Sequence, residues 1–392
     1  MRYIARVGFA IFISLLLASA IGFESTSTAT VPDATSRPSV SYTLVLANNT
    51  LLHGNVPISG GATTPNPQGM AFDSSSGDVY VAVPRSNSIV KISGRTNLVV
   101  DTVTVGYQPT QVAFDSSNGF LYVANGLDDH VSVIDGATDS VVANVTTGAN
   151  PTAVAFDSID GDVYVTQSSP FAHNSRILAV GGATNKILAN ATISAYADGI
   201  AFDSANGKIF VASSLSNLVS VFDGGNVTAI PKAITGFDGP SSMVFDPANG
   251  CIYVAESNST VAVINGTSDT VVASIVSIKD PAGLAFDSSN GYVYVADSGS
   301  NSVSAVDGES NKIVQNITVG VGPTSVVANS QNGYLYVANA GSGALSIIAF
   351  SSASPPTYLY VAVIAAIIAV SLVFITWRYI GKGRSKGIRL RN

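Results

Sequence analysis

The sequence has little of several residues on which folding and catalysis commonly depend. Its 392 residues include one cysteine, one tryptophan and three histidines, and only 11% are charged. A single cysteine excludes an intrachain disulfide, and the lack of a Cys/His cluster excludes a conventional zinc site. Cys251 is expected to be a small buried residue. Because 46% of the residues are apolar and the mean hydropathy is +0.37, a disordered chain is also excluded.

Basic residues are scarce in the middle of the chain. Of 18 Lys and Arg residues, two lie near the N terminus and six follow residue 377, which leaves ten against 25 acidic residues. The middle therefore has a net charge of −15. A surface of this sign repels phosphate backbones, so no nucleic-acid partner is expected. No cofactor is predicted either.

The two ends of the chain predict export and a membrane anchor. Residues 1–20 combine two arginines, an apolar run and a small-residue cleavage site, which is typical of a signal peptide; an uncleaved N-terminal anchor is the alternative. Residues 357–377 form an uncharged run of 21 residues, enough for one helix to span a bilayer. The basic tail, residues 378–392, is then expected in the cytoplasm and the body outside the cell membrane.

The body, residues 41–350, repeats one unit seven times. It lies between a Ser/Thr-rich linker, residues 21–40, and a shorter linker, residues 351–356. Each unit is marked by Ala-Phe-Asp or a variant, and successive copies are 42, 42, 46, 43, 41 and 42 residues apart. This period is typical of a β-propeller blade with four short antiparallel strands.

Each unit contains four strand signals and no helical periodicity. In the sixth copy the predicted strands are residues 283–287, 292–296, 302–307 and 312–320. A repeated Asp precedes the first tight turn and is expected to accept backbone N–H groups. Calcium binding by these carboxylates is the alternative, although the turns lack the distal acidic ligands of a known calcium loop.

The last copy stops before its outer strand. Residues 51–59, ahead of the first copy, resemble that missing strand and predict that the N-terminal segment completes the C-terminal blade. The predicted fold class is therefore all-β: a seven-bladed propeller of four-stranded antiparallel blades, closed by an N-terminal strand and followed by one transmembrane helix. The seven blades would contain about 28 strands.

The second strands carry a recurring signature, with VYVAV at 79–83, LYVAN at 121–125 and IYVAE at 252–256. Together with the P-x-x-V-A-F-D-x-x-N-G frame, the chain resembles the YVTN family of β-propeller repeats, also called YncE-like, over about 310 residues. Such repeats occur in archaeal surface-layer and other cell-surface proteins, so the resemblance implies a propeller at the cell envelope. Related propellers include streptogramin lyases and gluconolactonase-like hydrolases, so the fold alone does not exclude an enzymatic function.

Two loops stand out on the face where the interblade loops and the loops between second and third strands are expected to meet. Most of these loops contain Pro and small residues, whereas residues 125–130 and 167–175 contain charged and aromatic ones. The candidate ligand-face residues are Asp128, Asp129, His130, Phe171 and His173. They could supply a general base and a cation site, or they could belong to solvated loops. His53 lies outside this face, in the predicted closing strand.

Seven Asn-x-Ser/Thr sequons make N-glycosylation a further prediction for an exported chain. Three of them recur near the outermost predicted strand of a unit, where a glycan would be exposed. The candidate asparagines are Asn48, Asn144, Asn190, Asn226, Asn258, Asn265 and Asn316.

Two functions are compatible with the sequence. The first is a binding, adhesion or envelope-structural module that is anchored in the membrane and presents its loops to a protein or glycan. The alternative is an extracytoplasmic lyase or hydrolase that uses the Asp128–His130 and His173 loops with a divalent cation. The enzyme requires a convergent charged cluster at the channel mouth, whereas the binding module tolerates Ser, Asn and Gly there. Docking of a redox partner is a third option, for which the sequence contains no haem-ligation motif.

Overall fold

The computed structural model describes residues 46–47, 50–58, 65–148, 150–168, 175–193, 196–228 and 231–350. The predicted signal peptide, both linkers, the apolar run 357–377 and the basic tail lie outside these residues. Within the described ranges, no helix has the length and apolarity needed to cross a membrane.

In the described part of the chain, 29 strands form seven antiparallel sheets, which are the blades of the predicted propeller. The N-terminal strands are β1 (Leu46–Ala47) and β2 (Thr50–Pro57). Blade 1 contains β3 (Met70–Phe72), β4 (Val79–Val83), β5 (Ser88–Ile92) and β6 (Val99–Thr104). Blade 2 contains β7 (Pro109–Asp115), β8 (Phe120–Asn125), β9 (His130–Asp135) and β10 (Ser140–Thr146). Blade 3 contains β11 (Pro151–Phe156), β12 (Asp162–Gln167), β13 (Ser175–Gly181) and β14 (Lys186–Ile193).

The remaining four blades follow the same order from inner to outer strand. Blade 4 contains β15 (Ala197–Asp203), β16 (Lys208–Ser213), β17 (Leu218–Asp223) and β18 (Lys232–Thr235). Blade 5 contains β19 (Met243–Asp246), β20 (Cys251–Glu256), β21 (Thr260–Asn265) and β22 (Thr270–Val276). Blade 6 contains β23 (Pro281–Asp287), β24 (Tyr292–Asp297), β25 (Ser302–Asp307) and β26 (Lys312–Thr318). Blade 7 contains β27 (Pro323–Asn329), β28 (Tyr334–Asn339) and β29 (Ala344–Phe350). Two short 3-10 turns join second to third strands: Pro84–Ser86 in blade 1 and Ser214–Ser216 in blade 4.

The N-terminal strand β2 closes the ring, as the sequence predicts. It pairs antiparallel with β29, from Thr50 opposite Phe350 to Pro57 opposite Ala344, and so supplies the fourth strand of blade 7. The strand β1 then adds a fifth strand to this blade, which the sequence analysis did not predict because two residues carry no periodic signal. His53 lies in β2, within the predicted closing strand.

The ring has two faces with different kinds of connection. The turn face contains the turns that join first to second strands and third to fourth strands. The loop face contains the loops between second and third strands together with the interblade loops, and these two sets meet as predicted. For example, Val105 N–H donates to the Asn87 carbonyl (2.9 Å), and Val319 N–H donates to the Asn301 carbonyl (2.9 Å).

The hydrophobic core lies between neighbouring blades. The second strand of a blade is covered on both sides by adjacent sheets, so every residue of β4 and β20 is buried, without the polar alternation of a surface strand. The prediction for Cys251 is confirmed: it is 8% exposed and packs in the cluster between blades 5 and 6. Burial raises the pKa of its thiol, which makes it a poor nucleophile.

The repeated Asp has the predicted structural role at the turn face. In all seven blades its side chain, or that of Asn329 in blade 7, accepts the backbone N–H two residues later at 2.7–3.0 Å. The acceptors are Asp73, Asp115, Asp157, Asp203, Asp246, Asp287 and Asn329. Since these oxygens fix the first turn of each blade, their repetition is explained without a calcium ion.

The Tyr of the second-strand signature connects neighbouring blades. The Tyr253 hydroxyl, for instance, donates to Asn311 Oδ1 (2.7 Å) and to the Gly308 carbonyl (3.2 Å) in the next blade. Five tyrosines, at most 1% exposed, make this interblade contact to the following third-to-fourth-strand turn: Tyr80, Tyr122, Tyr164, Tyr253 and Tyr336. Burial raises the pKa of Tyr122, Tyr253 and Tyr336 to about 12, so their hydroxyls remain donors at neutral pH.

Two blade junctions depart from this arrangement. In blade 4 the residue at the tyrosine position is Phe210, which has no hydroxyl. Lys208 Nζ makes the contact to the next blade instead, and it donates to the Gly266 carbonyl (2.9 Å) and Asp269 Oδ1 (2.8 Å). In blade 6 the Tyr294 ring stacks on Phe350, the last residue of β29, with centroids 5.5 Å apart. Blade 7 has no continuous third-to-fourth-strand turn because its fourth strand is β2.

Candidate functional site

Three of the five predicted ligand-face residues lie together on the loop face of blade 2. Asp128 and Asp129 lie in the loop between β8 and β9, and His130, which follows them, is the first residue of β9. Phe171 and His173 belong to residues 169–174, which lie outside the described part of the chain. Their proximity to the blade 2 loop therefore stays a prediction.

Asp128 fixes the loop in place. Its Oδ2 accepts the backbone N–H of Tyr107 at 2.6 Å, and its own N–H donates to the Asn125 carbonyl at 2.9 Å. The carboxylate thereby ties the second-to-third-strand loop of blade 2 to the interblade loop that leads into this blade. Asp128 is accordingly a positioning residue for the loop face.

His130 has a carboxylate neighbour but a long contact with it. The distance from His130 Nδ1 to Asp129 Oδ1 is 3.5 Å, and the Asp129 side chain is 70% exposed. A pair of this length in contact with solvent contributes little to stability. It also lacks the buried, oriented acid that holds the imidazole of a general base in place.

Behind this loop, a chain of polar side chains runs to the outer strand. Asn125 Nδ2 donates to Ser132 Oγ (3.0 Å), and Ser132 Oγ donates to Asn144 Oδ1 (3.1 Å). In blade 7, Asn339 Nδ2 likewise donates to Ser346 Oγ at 3.0 Å, the same distance as in the bond from Asn125 to Ser132. Because this contact recurs in a second blade, its first role is to join the strands of the blade.

An open cleft of ≈ 600 Å³ lies between blades 1 and 2 beside this loop. Its lining includes Tyr107, Asp128 and His130 from the loop face, together with Val141 and Asn144 from the outer strand of blade 2. The cleft thus combines an aromatic ring, an aliphatic side chain, a carboxylate and hydrogen-bonding groups. Such a mixture suits recognition of a partly polar, partly apolar surface.

Large apolar side chains project from the loop face, and two of them belong to the loops that border this cleft. Tyr107 is 63% exposed and Leu127 is 61% exposed. A backbone hydrogen bond joins them, in which the Leu127 N–H donates to the Tyr107 carbonyl (3.2 Å). A third such residue, Leu215, lies in the corresponding loop of blade 4. Exposed aromatic and aliphatic side chains that adjoin a concave surface are typical of binding sites.

The described residues do not assemble the charged cluster that the alternative enzyme requires. Among them, no group of three or more His, Cys, Asp or Glu side chains is arranged to hold a metal ion. His173, which the enzyme hypothesis also uses, lies outside this part of the chain. Lyase or hydrolase activity therefore stays a hypothesis without a described site.

Six of the seven sequon asparagines are described, and Asn48 lies outside the described residues. As expected, the three that recur between blades are on outermost strands: Asn144 in β10, Asn190 in β14 and Asn316 in β26, all exposed. Asn226 and Asn258 are exposed as well, whereas Asn265 is half-buried. Glycosylation itself stays a prediction.

Sequence reasoning singled out the acidic loop and missed the apolar residues beside it. Tyr107 stands in an interblade loop that reads as a Gly- and Pro-containing connection, and Leu127 stands between polar residues. The signal that could have found them is the departure from the repeat, since the equivalent loops carry small or polar side chains at most of these positions. Sequence reasoning also missed Asn87, Asn217 and Asn301, which have left-handed backbones and accept an N–H from the next interblade loop.

No family model and no curated protein matches the chain in sequence. Among solved structures, the chain is similar to Kuenenia stuttgartiensis hydrazine synthase, with a TM-score of 0.66 and 19% sequence identity. The match covers 76% of this chain and 99% of that chain. At this identity the likeness shows the propeller fold alone. Membership of the YVTN family stays a prediction based on the repeat signature.

Proposed function

We propose that the protein is a membrane-anchored cell-surface β-propeller that binds a protein or glycan partner through its loop face. The observation that carries this proposal is the exposed pair Tyr107 and Leu127 beside the cleft between blades 1 and 2. Tyrosine is enriched at protein interfaces because its ring buries a large area at a low cost in side-chain entropy.

The acidic body supports a selective partner. A net charge of −15 in the middle of the chain disfavours anionic ligands and favours a neutral or basic surface. Asp129, which is 70% exposed next to Leu127 and Asp128, adds a negative charge at the rim of the cleft. The partner surface that fits is therefore apolar at its centre and neutral or basic at its edge.

The proposed location rests on the two ends of the chain. A signal peptide in residues 1–20 would export the body, and the apolar run 357–377 would retain it at the membrane. Resistance of the full-length protein to alkaline extraction from membranes, with loss of this resistance when 357–392 is deleted, is the expected result for an anchor.

Binding through the loop face is tested by photo-crosslinking in the full-length protein. A photoreactive amino acid at Leu127 is expected to give a discrete crosslinked product in the native envelope. The matched control is Ser158, an exposed residue in a turn-face loop of blade 3. Products from Ser158 that equal those from Leu127 would contradict the proposal.

A further inference from the structure

Five outer strands share a β-bulge near the end that meets the turn face. In β6, for example, Val99 and Asp101 are opposite consecutive residues of β5, so Val100 has no partner residue on that strand. The corresponding register shift occurs in β10, β14, β22 and β26. Because the bulge recurs at the same place in five blades, it is a regular feature of the outer strand in this propeller.

The bulged residue is large, apolar and half-exposed in every one of these strands. We name these five residues the rim belt, and their exposures are between 49% and 57%. The rim belt is Val100, Val142, Leu188, Val272 and Val314. Each follows another Val or Ile, at residues 99, 141, 187, 271 and 313.

The fold alone does not require apolar residues here. A bulged residue faces no cross-strand partner, and a polar side chain could replace it without breaking a ladder hydrogen bond. Single exposed apolar residues are common, whereas an exposed apolar residue that recurs at the same position on five blades makes this edge a candidate interaction surface. A bulge also disfavours pairing of the outer strand with another sheet edge, so a contact through side chains is favoured over β-sheet extension.

The chain leaves the propeller on the same side as the rim belt. The strand β29 runs toward the turn face and ends at Phe350, which stacks on Tyr294. The apolar run 357–377 begins after the six residues of the linker 351–356. Six extended residues reach at most about 20 Å, so an anchor in 357–377 would hold the turn face close to the bilayer.

We infer that the rim belt contacts the surface of the bilayer in which residues 357–377 are embedded. The disc then lies with its turn face on the membrane, and the loop face with Tyr107 and Leu127 points away from it. This inference rests on the proposed membrane anchor. It also gives that anchor a purpose beyond retention, because the contact fixes the direction in which the binding face is presented.

The charges beside the rim belt are compatible with a lipid interface. Lys186 and Lys312 are exposed and directly precede the apolar pairs of β14 and β26, where a long cationic side chain can reach headgroups while its stem covers apolar surface. Asp101 follows Val100 in β6, so the rim is of mixed charge. The contact therefore depends on apolar insertion at the headgroup level and does not require anionic lipids.

The test uses the full-length protein in phosphatidylcholine vesicles that contain a spin-labelled lipid. A fluorophore is attached to Leu188→Cys in the rim belt or, as the matched control, to Leu215→Cys on the loop face; the unsubstituted chain controls for labelling of the buried Cys251. Quenching of the Leu188→Cys label is expected to exceed that of the Leu215→Cys label by about threefold or more, because only the former reaches the acyl boundary.

The outcomes separate this inference from the proposed anchor. Release of the protein from the vesicles by alkaline extraction would refute the anchor, and with it the inference. Retention with equal quenching at both positions, or with greater quenching at Leu215→Cys, would overturn the inference alone. Disulfide crosslinking between copies through Leu188→Cys without quenching would assign the rim belt to a second copy and would likewise overturn it.

Discussion

The two faces of the propeller use their residues in opposite ways. On the turn face, the repeated Asp or Asn closes the first turn of all seven blades, and buried tyrosines tie five of them to the next blade. On the loop face, the lengths and side chains of the loops change from blade to blade, and Tyr107 and Leu127 are exposed. The repeated Asp and Tyr of the turn face therefore serve assembly of the ring, while the departures from the repeat on the loop face mark the surface available to a protein or glycan partner.

The exceptions on the turn face support this comparison. Where Phe210 replaces the tyrosine, Lys208 makes the contact to the next blade. Where blade 7 lacks the receiving turn, Tyr294 stacks on Phe350 instead. The junction of blades 4 and 5 and the junction of blades 6 and 7 therefore each keep a side-chain contact between blades, although its chemistry differs from that of the tyrosine hydroxyl.

The largest effect is expected from filling a glycine position at the turn face. In Gly94→Ala the new Cβ would lie 1.9 Å from the Gly77 carbonyl oxygen and 2.7 Å from Asn329 Nδ2, in the junction of blades 7 and 1. Backbone must move to relieve such overlap, so we expect a loss of about 3 kcal/mol in the free energy of unfolding. Chemical denaturation measures it. Gly225→Ala, whose nearest contact is an ordinary 3.7 Å, is the matched control and should stay within about 0.5 kcal/mol.

A smaller effect is expected from removing one interblade hydroxyl. Tyr253→Phe leaves Asn311 Oδ1 and the Gly308 carbonyl without this donor, which should cost about 1–2 kcal/mol in the free energy of unfolding. The same substitution on the loop face, Tyr107→Phe, should leave stability unchanged because that side chain is 63% exposed. Equal losses for the two variants would remove the distinction between the faces.

The smallest effect concerns the pH dependence of two equivalent turn carboxylates. Burial raises the pKa of Asp246, whose Oδ2 has no hydrogen-bond partner among the described residues. Burial also acts on Asp73, but hydrogen bonds from Ser75 and Ser76 outweigh it and lower the pKa of that group. Compared with the unfolded chain, the folded state therefore binds the proton more tightly at Asp246 and less tightly at Asp73.

The two variants should consequently respond to pH with opposite signs. Between pH 4 and pH 7, the stability contributed by Asp246 falls as the group ionises, so Asp246→Asn should gain stability relative to the unsubstituted protein. Asp73 gains its stabilising effect at lower pH, as the pH rises to about 4 through its lowered pKa, so Asp73→Asn should lose relative stability over that acidic interval. Each change is expected to be about 1 kcal/mol or less, measured by thermal unfolding from about pH 2 to pH 7. Parallel responses would contradict the assigned environments.

Much of the fold could be predicted from the sequence because repetition multiplies each weak signal. The spacing of the repeats predicted seven blades, and the incomplete last copy predicted closure by residues 51–59; both are confirmed. In blade 6 the predicted strand 302–307 coincides with β25, whereas β23 begins two residues before its prediction, at Pro281. A proline at a strand start gives no β-propensity signal, which explains the difference.

The candidate site could be predicted only in part. The acidic side chains of Asp128 and Asp129 drew attention to the correct loop, but their chemistry suggested a cation site or a base. The structure instead uses Asp128 to hold the Tyr107 backbone at 2.6 Å. Nor could the sequence place Leu127 beside Tyr107, because they are joined only when the second-to-third-strand loop and the interblade loop fold onto one face.

The central claim is that the protein or glycan partner binds the loop face, whereas the turn face holds the blades together. Crosslinking of the full-length protein in its native envelope tests it most directly, with the photoreactive residue at Leu127 or at Ser158 and with or without Tyr107→Ser. The account predicts a discrete product from Leu127 that falls about tenfold with Tyr107→Ser, and no such product from Ser158. Equal products from both faces, or a Leu127 product that Tyr107→Ser leaves unchanged, would contradict it.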